Sequence, residues 1–169
     1  DVGTDMNNLA LCLASLGRQL EALALHEEAS AMLRRLFPGD HPHVAVNLNN
    51  VAFCLNALGR GAEALPKFEE ALAMYRRTLP GDHWRIPVAH IGLGAAISQM
   101  GRYPEAESLL VPTWTANANR AEVPSYRKKQ CLQALVKLYE SWDAAKPGKG
   151  YAAKAAQWRE KLKETKIAH

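Results

Sequence analysis

The chain repeats itself every 42 residues. GRQLEAL begins at Gly17, GRGAEAL at Gly59 and GRYPEAE at Gly101. FPGDHP begins at Phe37 and LPGDHW at Leu79, again 42 residues apart. Apolar positions keep the same step: Leu9, Val51, Leu93 and Leu135 form one series, and Leu13, Leu55, Ile97 and Tyr139 another. A fixed period of this length marks a repeat architecture, in which each unit covers the hydrophobic face of its neighbour.

One unit, His43 to Asp82, shows the pattern best. Val44, Leu48, Val51, Ala52 and Leu55 recur at helical spacing, and Leu58-Gly59 ends the run. Glycine suits the position beyond a helix because it accepts a left-handed backbone at little cost. A second periodic run, Ala64, Leu65, Phe68, Ala71, Leu72 and Tyr75, stops at Leu79-Pro80-Gly81. Each unit is therefore an antiparallel helix pair, A then B, and no stretch alternates with period two as a strand would. The spacing predicts eight helices, near 3–16, 20–35, 43–58, 62–77, 86–100, 104–118, 125–142 and 151–165. Ala22, Ala64 and Ala106 share one place on helix B, where a small side chain lets the pair pack closely. Pro112 falls inside the sixth helix, so a bend or break is expected near Ser108–Pro112. Asp40 and Asp82 stand where they could cap the following A helices.

In the second unit Leu48, Val51, Ala52, Leu55, Gly59, Ala64, Phe68 and Ala71 resemble the tetratricopeptide repeat (TPR) pattern. The 42-residue period is similar to the longer repeats of kinesin light chains and related bacterial TPR proteins. The resemblance implies an all-α, right-handed solenoid, one domain over 1–169, with repeats at about 1–42, 43–84, 85–124 and 125–169. The last unit departs from the rest. Asp143 replaces the turn glycine and AAKPGKG lengthens the turn, so this unit reads as a modified cap. The stretch LVKLYESW…KAAQWREKL is similar to the end of TPR regions attached to bacterial serine/threonine kinases.

Nothing in the chain assembles a catalytic signature. There is no G-x-S-x-G elbow, no P-loop lysine and no kinase motif set. No catalytic residue, cofactor or metal is expected, and the chain is not expected to be an enzyme. His41 and His43 flank Pro42, but PGDH recurs at Pro80 to His83 without a second histidine, which marks a junction device. Cys12 and Cys54 share one repeat position, as a small core residue would, and no CxxC appears, which points to a reducing, cytoplasmic setting. No apolar run reaches the roughly 18–20 residues that span a bilayer, so no membrane is expected. Net charge is +4, split into −3 over residues 1–119 and +7 over 120–169. Arg127, Lys128 and Lys129 form the densest basic cluster, read as a solvated face, and no nucleic acid is expected.

What the resemblance does imply is a concave groove formed by the A helices that contacts a peptide. Its positions are Thr4, Asn7, Asn8 and Leu11 in the first unit, and Val46, Asn49, Asn50, Phe53 and Asn56 in the second. The third offers Val88, Ile91, Ala95, Ser98 and Gln99, and the fourth Gln130, Gln133, Lys137 and Glu140. An asparagine amide both donates and accepts, which suits a peptide backbone, although Asn8 and Asn50 would serve equally to bond neighbouring helices. His43, Arg85 and Arg127 share one position at the start of helix A and form a basic rim attractive to acidic flanks. Ile91 and Ala95 stand where a carboxylate clamp would need charge, so a chain-terminal clamp is disfavoured. The reading is a scaffold that binds a peptide segment, within a larger bacterial regulatory protein. The alternative is a regulatory or oligomerisation segment of a serine/threonine kinase or other signalling enzyme.

The two ends are unequal. Tyr151, Ala155, Trp158 and Leu162 can face inward while Lys154, Arg159, Glu160, Lys161 and Lys163 face water, as a terminal unit requires. The chain opens on Asp1 rather than Met and directly on an A helix, which points to an upstream extension. Met6, Leu9, Ala10 and Leu13 are then expected to leave apolar surface exposed and open to self-association.

Overall fold

A computed structural model describes the backbone of residues 2–167 and the side chains of residues 5–165. Helices α1 (Val2–Ser15), α2 (Gln19–Leu36), α3 (Pro42–Ala57) and α4 (Gly61–Thr78) make the first two pairs. Helices α5 (Arg85–Gln99), α6 (Tyr103–Asn117), α7 (Ser125–Ala145) and α8 (Tyr151–Ile167) make the next two. No strand occurs among the described residues, and every boundary lies within about one helical turn of the expected one.

The A-to-B turn is the same device three times. Gly17, Gly59 and Gly101 adopt φ of 78°, 75° and 75°. The next residue's N–H then reaches back to the last turn of helix A: Arg18 to the Leu13 carbonyl at 2.9 Å, Arg60 to Leu55 at 2.9 Å and Arg102 to Ile97 at 3.2 Å. This satisfies carbonyls that the helix end leaves open. Each arginine side chain then forks onto a glutamate in the first turn of helix B. The Nε contacts are 2.6 Å to Glu21, 2.7 Å to Glu63 and 2.8 Å to Glu105. These pairs are exposed, so each contributes at most about 1 kcal/mol.

The B-to-A junction differs from the expectation. The imidazoles, rather than the aspartates, cap helix A. His41 Nδ1 accepts the His43 N–H at 3.2 Å, and His83 Nδ1 accepts the Arg85 N–H at 3.2 Å. His41 is extended (φ −145°, ψ 137°) with Pro42 opening the helix, which puts its ring within reach of the free N–H. Asp40 turns instead to the Arg77 guanidinium at the end of α4.

Each helix packs on its chain neighbours, and A helices also meet each other: α3 touches α5, and α5 touches α7. No two B helices make comparable contact, so the stack curves with the A helices inside. Ala22, Ala64 and Ala106 are all fully buried, as the repeat requires. Three core clusters run along the stack, centred on Phe68, on Tyr75 and on Leu135 with Tyr139 and Trp142. Of the two equivalent cysteines only Cys54 is a core residue. Cys12 is exposed.

Helix α5 sits between α4 and α6 and carries two glycines toward them. A Cβ on Gly92 would lie 2.2 Å from the Phe68 ring, and one on Gly94 would lie 2.6 Å from Leu110. Close approach, rather than backbone freedom, is what requires glycine here. Of the expected bend or break at Pro112 the break is absent, since α6 runs from Tyr103 to Asn117, as α4 does through Pro66. Pro112 and Ser108 both face solvent, so water can satisfy the Ser108 carbonyl that loses its donor. At the C-terminal end Asp143 takes on a new task, its Oδ1 accepting the Ala152 N–H at 3.2 Å in the first turn of α8.

Candidate functional site: the groove of the A helices

The inner face holds a cavity of about 650 Å³. One repeat position supplies its central row: Leu11, Phe53, Ala95 and Lys137, one from each A helix. The position three residues on adds Ala14 and Asn56, and the next adds Ser15, Ala57 and Gln99. The floor is therefore built by the period itself, with a different side chain presented at each step.

Of the expected residues, Asn50, Phe53, Asn56, Ile91, Gln99 and Lys137 line this cavity, and Arg127 joins them from the rim. Asn7, Asn8, Val46 and Asn49 do not line it. Asn7 is half-buried and accepts a 2.8 Å hydrogen bond from Asn50 Nδ2, so that pair bridges α1 to α3 as well as facing the groove. Asn8 is exposed, Val46 packs on the core, and Asn49 is buried with its Oδ1 unpartnered. Thr4 lies outside the described side chains. Asn56 commits its amide to the Gly92 carbonyl at 2.8 Å, and Gln99 gives its own to the Asn56 carbonyl at 2.8 Å. Because a carbonyl only accepts, both NH₂ groups are fixed in direction, and they tie α3 to α5.

The rim residues separate. Arg127 reaches over the groove, its guanidinium 4.7 Å from the centre of the Phe53 ring and 4.8 Å from that of Tyr126. Its Nη1 donates to Gln130 Oε1 at 2.8 Å, while Nε is buried without an acceptor. Phe53 is held in turn edge-on to Phe68, with ring centres 5.1 Å apart. Arg85 lies over Trp84 at 4.8 Å, and His43 meets Phe37 and His41 edge-on, so neither lines the cavity. Arg127 and Lys137 are the charged side chains among the described lining residues, and no carboxylate is among them.

Eight lining residues escaped the sequence reading, among them Tyr126 and His26. Tyr126 is exposed beside Arg127. His26 closes the floor from α2, fully buried with neither ring nitrogen hydrogen-bonded, and burial lowers its pKa to about 4. Its repeat equivalents are Phe68 and Leu110, so a polar residue at an apolar series position was the available signal. Elsewhere Cys54 and Cys131 are buried, which raises their thiols to about 11 and about 12 and keeps them protonated. Among the described residues no three His, Cys, Asp or Glu side chains gather as a metal shell would require. No helix among them is long and apolar enough to cross a membrane.

Comparison with known proteins places this geometry. The tetratricopeptide repeat profile matches residues 3–77 and 44–111. No curated protein sequence matches the chain. Among solved structures, a putative kinesin light chain from Podosopora anserina with nearly identical TPR-like repeats is similar at 21% identity and a TM-score of 0.65. That match covers 97% of this chain and 90% of the other. BtubC (BKLC) from P. vanneervenii is similar at 20% identity and a TM-score of 0.71, covering 98% of this chain and 63% of that one. At these identities the likeness is one of fold. With an all-α stack of helix pairs and a profile match over most of its length, the chain belongs to the tetratricopeptide repeat family, a typically non-catalytic scaffold for protein–protein interaction.

Proposed function

We propose that the groove of the A helices binds an internal, extended peptide segment whose apolar side chains are flanked by acidic ones. One observation carries this reading: the cavity joins apolar positions, Leu11, Phe53 and Ile91, to two cations, Arg127 and Lys137, with no carboxylate among its described lining. A ligand carboxylate would meet the Arg127 guanidinium from the groove side, and charge-assisted bonds of this kind are the stronger ones. The apolar row supplies contact area, and the cations supply register and encounter rate.

The groove can be tested with peptides selected from a random displayed library. The selected peptides should share apolar residues beside Asp or Glu. Leu11→Glu with Lys137→Glu should weaken them by at least about tenfold, which is about 1.4 kcal/mol, at an unchanged melting temperature. Lys67→Glu on the outer face should leave binding intact. Selected peptides that bind both variants equally would place the site elsewhere.

A further inference from the structure

The two edges of the stack handle their charges differently. At the A-to-B edge each arginine is held by its own glutamate: Arg18 by Glu21, Arg60 by Glu63, Arg102 by Glu105. At the B-to-A edge the segments 34–43, 76–85 and 118–129 carry nine Arg or Lys against three Asp or Glu. Arg77 is taken by Asp40, Arg34 by Glu70, and Arg120 by Glu122 and the Asp82 carbonyl. Among the described residues Arg35, Arg76, Lys128 and Lys129 have no carboxylate partner, and Arg85 rests on Trp84. The loss at Arg76 is traceable. Its equivalent Arg34 pairs with Glu70 at 2.7 Å, and the residue equivalent to Glu70 in the next unit is Pro112.

Successive junctions on this edge are tied to one another. The Arg77–Asp40 pair joins the end of α4 to the first junction, and Arg120 reaches the second junction with a 2.6 Å bond to the Asp82 carbonyl. The edge also carries Phe37, Trp84 and Tyr126. Phe37 is stacked by His41 at 3.8 Å, and Trp84 by His83 at 5.8 Å with Arg85 over the ring. Those two rings are covered by the protein's own side chains, and Tyr126, although exposed, carries the Arg127 guanidinium over its ring at 4.8 Å. Binding of single-stranded nucleic acid relies on open aromatic platforms for successive bases. This edge offers charge with little platform.

We propose that the B-to-A edge is a second docking surface, meeting the groove at Tyr126 and Arg127 and extending beyond it, for an acidic and extended polypeptide segment. Neighbouring packed helices lie about 8–10 Å apart, and an extended chain advances about 3.3 Å per residue. Arg35, Arg76 and the Lys128–Lys129 pair stand on α2, α4 and α7, so a segment that meets all of them has to span several helices and run extended along the edge. Such a surface sets encounter rate and orientation, and its attraction is screened by salt.

The test uses a fluorescent twelve-residue glutamate-rich peptide and a single-stranded oligonucleotide of equal charge, with the whole chain. The peptide should bind, and raising salt from about 0.05 to about 0.2 M should weaken it by about tenfold or more. Reversing four edge charges together (Arg35→Glu, Arg76→Glu, Lys128→Glu, Lys129→Glu) should abolish binding at an unchanged melting temperature. Reversing four on α8 (Lys154→Glu, Arg159→Glu, Lys161→Glu, Lys163→Glu) changes net charge equally and should leave most of it. The groove pair Leu11→Glu with Lys137→Glu should also leave it. Equal loss in the two four-charge variants reduces the effect to net charge and overturns the proposal. Loss in the groove pair moves the probe into the groove and overturns it too, without bearing on library-selected peptides. An oligonucleotide bound as tightly as the peptide overturns it in favour of nucleic acid.

Discussion

At position 26 the first unit carries a histidine where the second has Phe68 and the third Leu110. The ring is fully buried and unbonded, and its pKa falls from 6.5 to about 4 through desolvation. Between those two values the unfolded chain takes up a proton that the folded one refuses. Stability is therefore fully present above about pH 6.5 and is lost as pH falls toward 4, by about 3 kcal/mol across the window. His26→Leu should remove that slope, as read from denaturant midpoints at neutral and mildly acid pH; an unchanged slope would place the titration elsewhere. Gly92 tests packing at the same scale. Its Cβ would press 2.2 Å from the Phe68 ring, so Gly92→Ala should cost about 1–3 kcal/mol or more. Phe68→Leu, the choice made at Leu110, should recover part of that loss when the two changes are combined. Additive losses in the double variant would show that the two side chains do not compete for space.

Among the elements, α6 is the one that departs most from its series. Pro112 stands where α4 has Glu70, and the helix continues because the freed carbonyl of Ser108 is on the wet side. Pro112→Glu should restore one backbone hydrogen bond and give Arg76 the partner that Arg34 already has. The melting temperature should rise by several degrees, corresponding to about 1–3 kcal/mol. No rise would mean that α6 is already relaxed around the proline. The helices and their turns were legible in the sequence because each follows from the period and from glycine, whereas the inner row came only with the resemblance to the repeat family. The caps were not. His41 and Asp40 are adjacent and both able to accept, and only the extended backbone before Pro42 decides that the ring reaches the N–H. Asn49 was misplaced for a related reason. It neighbours Asn50 in sequence, but one helical step of about 100° turns it into the core.

One end of the stack is open in the sense of exposed leucines, and the other presents charges. Leu9 is 53% exposed, whereas its equivalents Val51 and Leu135 are 3% and 0% exposed, and Leu16 and Leu20 are open beside it. On α8, Ala155 is buried and Lys154, Arg159, Glu160, Lys161 and Lys163 face water. A head-to-tail contact would set the leucines against those charges, so any association through the open end should pair like with like and stop at two copies. Three leucines bury far less than the roughly 800 Å² per partner of a stable interface. Sedimentation should therefore show a weak dimer at high concentration that Leu9→Lys with Leu16→Lys abolishes. A dimer untouched by that change would have to use another face.

Contact confined to the next helix and the next-but-one has a consequence in time. No distant ends of the chain need to find each other, so little loop-closure entropy stands in the way of folding. The same locality divides the molecule. A helix in the middle is held from both sides, while α1 and α8 each pack on one chain neighbour and α8 is further stacked on Trp142 through Tyr151, so opening costs least at α1 and grows inward. Amide exchange should run as a gradient along the stack, fastest in α1 and slowest around α4 and α5, and the groove would lose its Leu11 wall before its Ile91 wall.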